Sequence, residues 1–213
     1  MRSNSLNEII RKKTAEYFIS AVKGKYVMDF GGGTGADLGW LTKNMYEVCF
    51  CEPSKAMRDI AIELNNKEIK SERIQFLKET QTDFIQWNSN TFPNNFDAIL
   101  ADFCVFNTID DINLLFSKLN TILNPGGQII ATLLDTTFKG IIKYHIKSFV
   151  RAFITMGYPT MLVQHSVNRH TVYLHTPGKL MQAIPGEFSC KKIESLGKSG
   201  FMLVHFEKSE HGK

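Results

Sequence analysis

A glycine-rich loop in residues 27–41, VMDFGGGTGADLGWL, lies between an apolar segment and a helix-like one. Gly31, Gly33 and Gly35 follow the pattern GxGxG, and with Ala36 the same run also follows GxGxxA. Glycines at this spacing permit a tight turn and let backbone N–H groups approach a ligand at a helix N-terminus. The loop therefore predicts a cofactor site, and two cofactor chemistries would fit it.

Asp29, two residues before the first glycine, distinguishes the two chemistries. A carboxylate at the strand end would repel a pyrophosphate but attract an ammonium and a sulfonium group. S-adenosylmethionine presents both of these cations. Glu52, at the end of the second predicted strand, is placed to accept hydrogen bonds from a ribose diol, which NAD also carries. We therefore predict S-adenosylmethionine as the cofactor, with NAD as the alternative.

The elements that must position these residues alternate between strands and helices. Strands are predicted at 25–30, 47–52, 73–77, 96–101 and 127–134, with helix-like segments near 35–45, 54–66 and 111–123. Repeated βαβ units predict a parallel, doubly wound sheet. Thr34 and Asp37 stand at capping-box spacing and predict that the second helix begins there. A helix over about 5–22 precedes the first strand, and 188–208 predicts an antiparallel hairpin.

The composition is that of one folded domain over residues 1–213, with 43% hydrophobic and 22% charged residues. We divide it into an N-terminal helix (1–24), a cofactor-binding core (25–134), a lid over the substrate (135–184) and a C-terminal hairpin (185–213). The lid is predicted from its departure from the βα repeat. It contains an amphipathic helical stretch and then a short strand, followed by a helix with Thr176 as N-cap and Pro177 at its first position.

Charge and cysteine content argue against several classes of protein. The net charge is +4, and the basic clusters at 11–13 and 191–192 are interpreted as solvated faces, so no nucleic-acid partner is expected. The four cysteines lack metal-ligand spacing and are predicted to be buried free thiols, with no metal site. No secretory segment and no apolar run of about 20 residues is found, which favours a cytoplasmic location without a transmembrane segment. The sequence does not determine an oligomeric state.

Taken together, the motifs resemble those of the class I S-adenosylmethionine-dependent methyltransferases of the small-molecule type. The matching segments are VMDFGGGTG, CFCEPSKAM, FDAILADF and LNPGGQIIATLL, together with the leading helix and the C-terminal hairpin. The resemblance implies a Rossmann-like seven-stranded sheet of order 3-2-1-4-5-7-6 with strand seven antiparallel. It also implies helices on both faces of the sheet and a helical lid insertion.

The resemblance also implies which residues bind the cofactor. The first motif would hold the methionine end, the second the ribose hydroxyls, the segment after strand three the adenine, and the end of strand four would contact the cofactor through its backbone. These residues are Asp29, Gly31, Gly32, Gly33, Glu52, Pro53, Asp83, Phe84, Ala101 and Asp102. Met57 is placed either near the adenine or in the helix core.

The acceptor of the methyl group is less defined. Methyl transfer from a sulfonium is an in-line displacement, so it mainly requires alignment, and a base is needed only when the nucleophile keeps its proton. The sequence ADFCVFN after strand four lacks the Asn/Asp-Pro-Pro-aromatic run of enzymes that methylate base or glutamine amines, and Cys104 within it is interpreted as a buried thiol. The aromatic, histidine-containing lid favours a small acceptor that is aromatic or partly apolar.

Two lid histidines, His175 and then His145, are the candidates for a general base or a hydrogen-bond donor to the substrate. The alternative for each is a histidine whose hydrogen bonds are satisfied within the protein. Other functions also stay open: an NAD-dependent oxidoreductase, a non-catalytic protein that binds S-adenosylmethionine or a partner, and a methyltransferase of RNA or protein. Asp29, the leading helix and LNPGG argue against the oxidoreductase, and the mild charge and missing accessory domain argue against the last.

Overall fold

The computed structural model describes residues 2–165 and 168–210. It contains eight described helices: α1 (Arg2–Ala21), α2 (Leu38–Lys43), α3 (Lys55–Leu64), α4 (Asn66–Lys70), α5 (Ile112–Ile122), α6 (Phe138–Gly140), α7 (Ile146–Ile154) and α8 (Pro177–Ala183). A π-helical turn, Ile141–His145, joins α6 to α7. The described strands are β1 (Tyr26–Phe30), β2 (Glu47–Cys51), β3 (Ile74–Phe76), β4 (Phe96–Ala101), β5 (Leu123–Leu134), β6 (Thr160–His165), β7 (Asn168–Tyr173), β8 (Phe188–Ser195) and β9 (Phe201–Lys208).

Seven strands form one sheet in the order β3-β2-β1-β4-β5-β9-β8. Strands β1 to β5 are parallel, and β9 is antiparallel to both β5 and β8. This confirms the predicted sheet, with β8 and β9 as its sixth and seventh strands. The shift in numbering arises because the lid contains a second, two-stranded sheet of β6 and β7, of which the sequence predicted only one short strand.

Both faces of the large sheet are buried, and the alternation of residues along each strand explains this. In β1, Val27 packs into the core on one face and Met28 into the core on the other. In β2, Val48 likewise faces one core, while Cys49 and Cys51 face the other. The two thiols therefore share a face, as residues two apart in a strand must. Parallel strands covered on both faces place their carboxyl ends at one edge, which is where the candidate site lies.

The prediction of a capping box at the start of α2 was wrong. The helix begins at Leu38, because residues 33–37 form turns in which Gly33 and Gly35 adopt positive φ. Asp37 is the N-cap residue, but its side chain makes no capping bond. It binds Arg11 and accepts from Trp40 Nε1 at 2.8 Å instead.

Two other boundaries show how local chemistry places an element. Strand β5 begins at Leu123 rather than at 127, and its register with β4 shifts around the Asn-Pro-Gly-Gly segment, where Gly126 has positive φ. Helix α8 begins as predicted, with Thr176 Oγ1 accepting from Lys179 N at 3.2 Å and Pro177 in the first turn. Among the described residues, no helix combines the length and the apolar character needed to cross a membrane.

Candidate functional site

The glycine loop is tied to the end of β2 through its backbone. Gly31 N and Gly32 N both donate to Cys51 O, at 2.7 and 3.3 Å, and Gly33 N donates to Glu52 Oε2 at 2.9 Å. Positive φ at Gly31 and Gly33 allows these successive N–H groups to point toward β2. The loop is therefore held by the same carboxylate that the sequence predicted to bind a ribose.

Glu52 is buried, and its second oxygen also has a partner. Its Oε1 accepts from Ser54 N at 2.7 Å. A carboxylate offers about four lone-pair positions, so these two bonds leave acceptor capacity for hydroxyl groups. The ribose-binding role of Glu52 stays a prediction, and the structure adds a loop-positioning role.

Asp29 lies beneath the loop and is only 1% exposed. Its Oδ2 has no hydrogen-bond partner within the part of the chain that the structure describes. A Cβ added at Gly32 would overlap this carboxylate, so the glycine permits the close approach of loop and strand. Burial raises the pKa of Asp29 well above its usual value, and the neighbouring carboxylates of Asp37 and Asp102 raise it further.

Asp102 follows β4 and is also buried. Its Oδ1 accepts from Phe103 N at 2.9 Å and from the Thr132 hydroxyl, whereas its Oδ2 has no partner among the described residues. Burial, followed by the charge of Asp37, raises the pKa of Asp102 to about 6, against the opposing effect of the Thr132 hydrogen bond. Asp29 near the end of β1 and Asp102 directly after β4 therefore each have one carboxylate oxygen without a partner among the described residues.

Arg11 of α1 reaches into this acidic cluster and pairs with Asp37. Its guanidinium carbon lies 4.7 Å from the centre of the Phe103 ring, a cation–π contact. The interpretation of residues 11–13 as a solvated face is thus wrong for Arg11, which is half-buried, while Lys12 and Lys13 are exposed. Helical spacing could have signalled this, because Arg11 lies four residues before the buried Ala15 and seven before the buried Phe18.

These groups surround a cavity of about 310 Å³ at the carboxyl edge of the sheet. Its lining includes predicted residues (Gly31, Gly32, Gly33 and Asp102), together with Met57 and residues that the sequence did not assign to the site (Arg11, Thr34, Ala36, Asp37 and Phe103). Asp29 is adjacent beneath Gly32. Pro53 is exposed and does not line this cavity, and Ala101 is buried in the sheet.

The segment predicted to hold the adenine packs over the ends of β1 and β2. The Phe84 ring lies 6.2 Å from that of Phe30, edge to face, and Cys51 Sγ contacts Thr82 O at 3.9 Å. Asp83 is exposed, and its Oδ1 accepts from Ile85 N at 3.1 Å in a short 3₁₀ turn. The segment thus lies near the strand ends, and its contact with an adenine stays a prediction.

The two candidate histidines differ sharply. His175 is fully buried, and its Nε2 lies 3.1 and 2.9 Å from the carbonyl oxygens of Phe106 and Ile109, so this nitrogen must carry the proton. Its Nδ1 then accepts from the Tyr158 hydroxyl at 2.8 Å. Burial lowers the pKa of His175, consistent with this neutral ring. This geometry matches the alternative interpretation of His175, a histidine whose hydrogen bonds are satisfied within the protein. Neither ring nitrogen is left to contact a substrate.

His145 is buried in the π-helical turn, and neither ring nitrogen has a partner among the described residues. Burial lowers its pKa, opposed by the charge of Asp135. π-Helical turns recur at functional sites, and this one carries a histidine with free nitrogens. Of the two candidates, only His145 has ring nitrogens without partners among the described residues, and both of these atoms are buried. Within residues 2–165 and 168–210, no group of three or more His, Cys, Asp or Glu side chains is arranged to hold a metal ion.

The parallel sheet, its glycine loop and the acids at the ends of β1, β2 and β4 define a Rossmann-like fold with a cavity at the carboxyl edge of its strands. Residues 3–180 match the methyltransferase domain family, and the chain belongs to that family. The predicted family is thereby confirmed.

Known relatives agree with this assignment. An uncharacterized methyltransferase of Bacillus thuringiensis (strain Al Hakam) is 32% identical over 114 residues, 53% of this chain and 48% of the relative. The matched region thus spans about half the length of such curated relatives. Among solved structures, the glycopeptide N-methyltransferase MtfA complexed with S-adenosylmethionine has a TM-score of 0.66 at 12% identity, covering 92% of this chain and 93% of that one. The Burkholderia thailandensis 1,6-didemethyltoxoflavin-N1-methyltransferase has a TM-score of 0.64 at 13% identity, covering 94% and 78%.

Proposed function

We propose that this protein transfers a methyl group from S-adenosylmethionine to a small, partly apolar acceptor and releases S-adenosylhomocysteine. The observation that carries the proposal is the pair of buried carboxylates, Asp29 and Asp102, whose free Oδ2 atoms lie at the glycine loop. Buried carboxylates without partners are costly, so a site that keeps them is suited to a cationic ligand. A pyrophosphate would be repelled by the same atoms, which argues against a dinucleotide.

The residues present fit the cofactor group by group. Asp29, Asp102 and the loop backbone would hold the methionine end, where the ammonium and sulfonium lie. Glu52 would accept from the ribose hydroxyls, and Asp83 with Phe84 would contact the adenine. When bound, S-adenosylmethionine supplies an electrophilic methyl group. The protein's part is then to align the acceptor and to exclude water, because proximity supplies much of the rate in such a displacement.

The lid supports a small-molecule acceptor over a nucleic acid. It carries aromatic rings and a buried histidine, His145, whose ring nitrogens have no partner among the described residues. The Tyr144 ring would lie 3.9 Å from a Cβ added at Gly200. Phe201, which follows Gly200, packs edge to face on Phe103 at the cavity. His145 would take the proton of an acceptor that keeps one at neutral pH. Two fold neighbours support this class, since one is named for a glycopeptide and one for 1,6-didemethyltoxoflavin.

Calorimetric titration of the full chain with S-adenosylmethionine, S-adenosylhomocysteine and NAD tests the cofactor. We expect both adenosyl sulfur compounds to bind and NAD not to bind. Binding of NAD alone, or of none of the three, would contradict the proposal. Acceptor candidates are then incubated with the cofactor and examined for a methyl mass shift. Cofactor binding without turnover on any small molecule would favour the non-catalytic alternative.

A further inference from the structure

The segment 136–186, which forms most of the lid, contains no aspartate or glutamate. It carries six basic residues: Lys139, Lys143, Lys147, Arg151, Arg169 and Lys179. The segment therefore contributes +6 to a chain whose net charge is +4, and the remaining residues are net acidic. The positive charge of this protein is concentrated on one structural unit.

Four of these cations lie on the helical stretch 138–154 in a regular pattern. Apolar residues recur at every fourth position of this stretch and each is exposed, and the first four of the five are each followed directly by an exposed cation. The apolar set is Phe138, Ile142, Ile146, Val150 and Ile154, and the cations are Lys139, Lys143, Lys147 and Arg151. Residues four apart share one side of a helix. The stretch therefore presents an apolar stripe beside a basic stripe, and we call these exposed residues, with Phe153 and Met156, the basic lid face.

The apolar stripe is not part of the protein's own core. Packing against the rest of the chain uses a different set of positions, Gly140, His145, Phe149 and Ala152, which are buried or half-buried. At the end of the stretch, Phe153 is 86% and Met156 is 98% exposed. Large apolar side chains at such exposure, gathered on one face, mark a surface that contacts something outside the chain.

An apolar groove adjoins the basic lid face where α7 meets β6. It has a volume of about 730 Å³, and its lining includes Phe149, Phe153, Met156, Tyr158 and Leu174, with Lys179 also present. A groove lined by apolar side chains and bearing a cation suits hydrocarbon groups attached to an anionic headgroup.

We propose that the basic lid face docks on an anionic phospholipid bilayer. The apolar stripe would enter the boundary between headgroups and acyl chains, and the basic stripe would face the anionic headgroups. A helix with cations on one side and exposed aliphatic and aromatic residues on the other is the arrangement that binds in the membrane interface. This inference is independent of the methyl acceptor and of the proposed cofactor.

Charge and chemistry favour a bilayer over two other occupants. A second copy of this chain, paired through the same face, would bring two sets of cations together without a carboxylate in the segment to offset them. An RNA strand would use the cations, but four of the five residues of the stripe are aliphatic and offer no ring on which bases can stack. Only a bilayer uses both stripes.

Flotation of the full chain with vesicles tests the proposal. We expect binding to vesicles of phosphatidylglycerol and phosphatidylcholine that weakens with added salt, and little binding to phosphatidylcholine alone. The double variant Lys139→Gln with Lys147→Gln should lower the partition coefficient about 30-fold, since each basic residue near an anionic surface contributes about fivefold. Its matched control, Lys12→Gln with Lys13→Gln, removes two exposed cations from α1 and should bind like the unaltered protein.

A second pair of variants tests the apolar stripe. Phe153→Ser with Met156→Ser should lower the partition coefficient about tenfold or more, whereas Leu64→Ser, which alters an exposed apolar residue of α3, should not change it. Circular dichroism confirms that each variant is folded. Failure to bind anionic vesicles, or equal losses in variants and controls, would overturn the proposal. Two further results would also overturn it. One is an RNA oligomer that binds the basic lid face when vesicles do not. The other is a dimer that forms although the protein does not bind vesicles, and that the double variant Phe153→Ser with Met156→Ser dissociates.

Discussion

Arg11 of the N-terminal helix forms an ion pair with Asp37 at the start of α2, across the mouth of the glycine loop. The Asp37 carboxylate is nearly buried, and the Arg11 side chain is about one-quarter exposed, at 28%. The pair joins α1 to the loop and places one cation among the carboxylates of Asp29, Asp37 and Asp102. The charge of Arg11 lowers the pKa of Asp29 and of Asp102, partly offsetting their burial.

Replacement of Arg11 should therefore destabilise the protein. Arg11→Gln leaves the Asp37 carboxylate buried without its partner, and we expect a loss of about 1–3 kcal/mol in the free energy of unfolding. Urea denaturation measures this loss. Lys13→Gln, at an exposed position of the same helix, is the control and should change stability by less than about 0.5 kcal/mol. Equal stability of the two variants would show that the pair does not hold the loop.

The pH dependence of stability should carry the signature of Asp102. Its pKa is raised to about 6 in the folded chain, above the value of about 3.9 in an unfolded one. Between these values the folded state binds more protons, so this group's contribution to stability is lost as the pH rises from about 4 to about 6. Denaturant unfolding of the ligand-free protein against pH should show this loss, and Asp102→Asn should lack it. A variant with the unaltered pH profile would contradict the assigned pKa.

Cofactor affinity should change with pH in the opposite direction. A cationic ligand favours the ionised form of Asp102, so affinity for S-adenosylmethionine should rise as the pH rises through about 6 and then level off. Titration calorimetry at several pH values in buffers of different ionisation enthalpy would also detect the released proton. Affinity that is constant from pH 5 to 8 would argue against a carboxylate that ionises on binding.

Asp29→Asn tests the charge of the buried acid while preserving its shape. We expect weaker binding of S-adenosylmethionine by about 1.5–3 kcal/mol, the usual worth of a charge-assisted hydrogen bond. Glu52→Gln should lose a similar amount. Asp59→Asn, an exposed acid of α3 that pairs with Lys55, is the control and should bind normally. Normal affinity in both site variants would refute the assigned cofactor site.

Two glycines make a matched pair for testing the loop. Gly32→Ala would press a methyl group into the Phe50 ring and the Asp29 carboxylate, so we expect a loss of more than about 1 kcal/mol in stability and weaker cofactor binding. A Cβ at Gly39, inside α2, meets nothing within 4 Å, so Gly39→Ala should stabilise the protein by about 0.4–1 kcal/mol. Thermal denaturation distinguishes the two, and a stabilising Gly32→Ala would show that the loop is more open than described.

The two histidines should respond differently to substitution. His175→Ala removes the hydrogen bonds to Phe106 O, Ile109 O and the Tyr158 hydroxyl, and we expect a stability loss of about 2–4 kcal/mol. His145→Asn breaks no hydrogen bond within the described chain and should lower turnover more than stability. Parallel measurement of urea unfolding and methyl transfer separates these effects. Loss of turnover at full stability in a His175→Gln variant would restore His175 as a catalytic candidate.

The sequence alone determined the topology of the sheet and the chemistry of its edge. Alternating strand and helix patterns predicted a parallel sheet, whereas its strand order came from the resemblance to the methyltransferase family. Asp29, the glycines and Glu52 lie at or directly after strand ends, so local signals were sufficient to place them at one edge. The start of α8 was predicted for the same reason, since Thr176 and Pro177 act within one helical turn. The start of α2 was not, because long-range bonds to Glu52 and Arg11 decide how far the glycine turns extend.

Only the tertiary structure decided which charged groups share an environment. Arg11 and Asp37 meet because α1 packs across the carboxyl edge, and no local pattern encodes that contact. The same holds for His175, whose role depends on carbonyl groups of residues 106–109 that reach it through the fold. Burial is likewise a property of the whole chain, and together with the neighbouring carboxylates it raises the pKa values of Asp29 and Asp102. The sequence thus predicted acids at the candidate site, and packing buried them with oxygens that have no partner among the described residues.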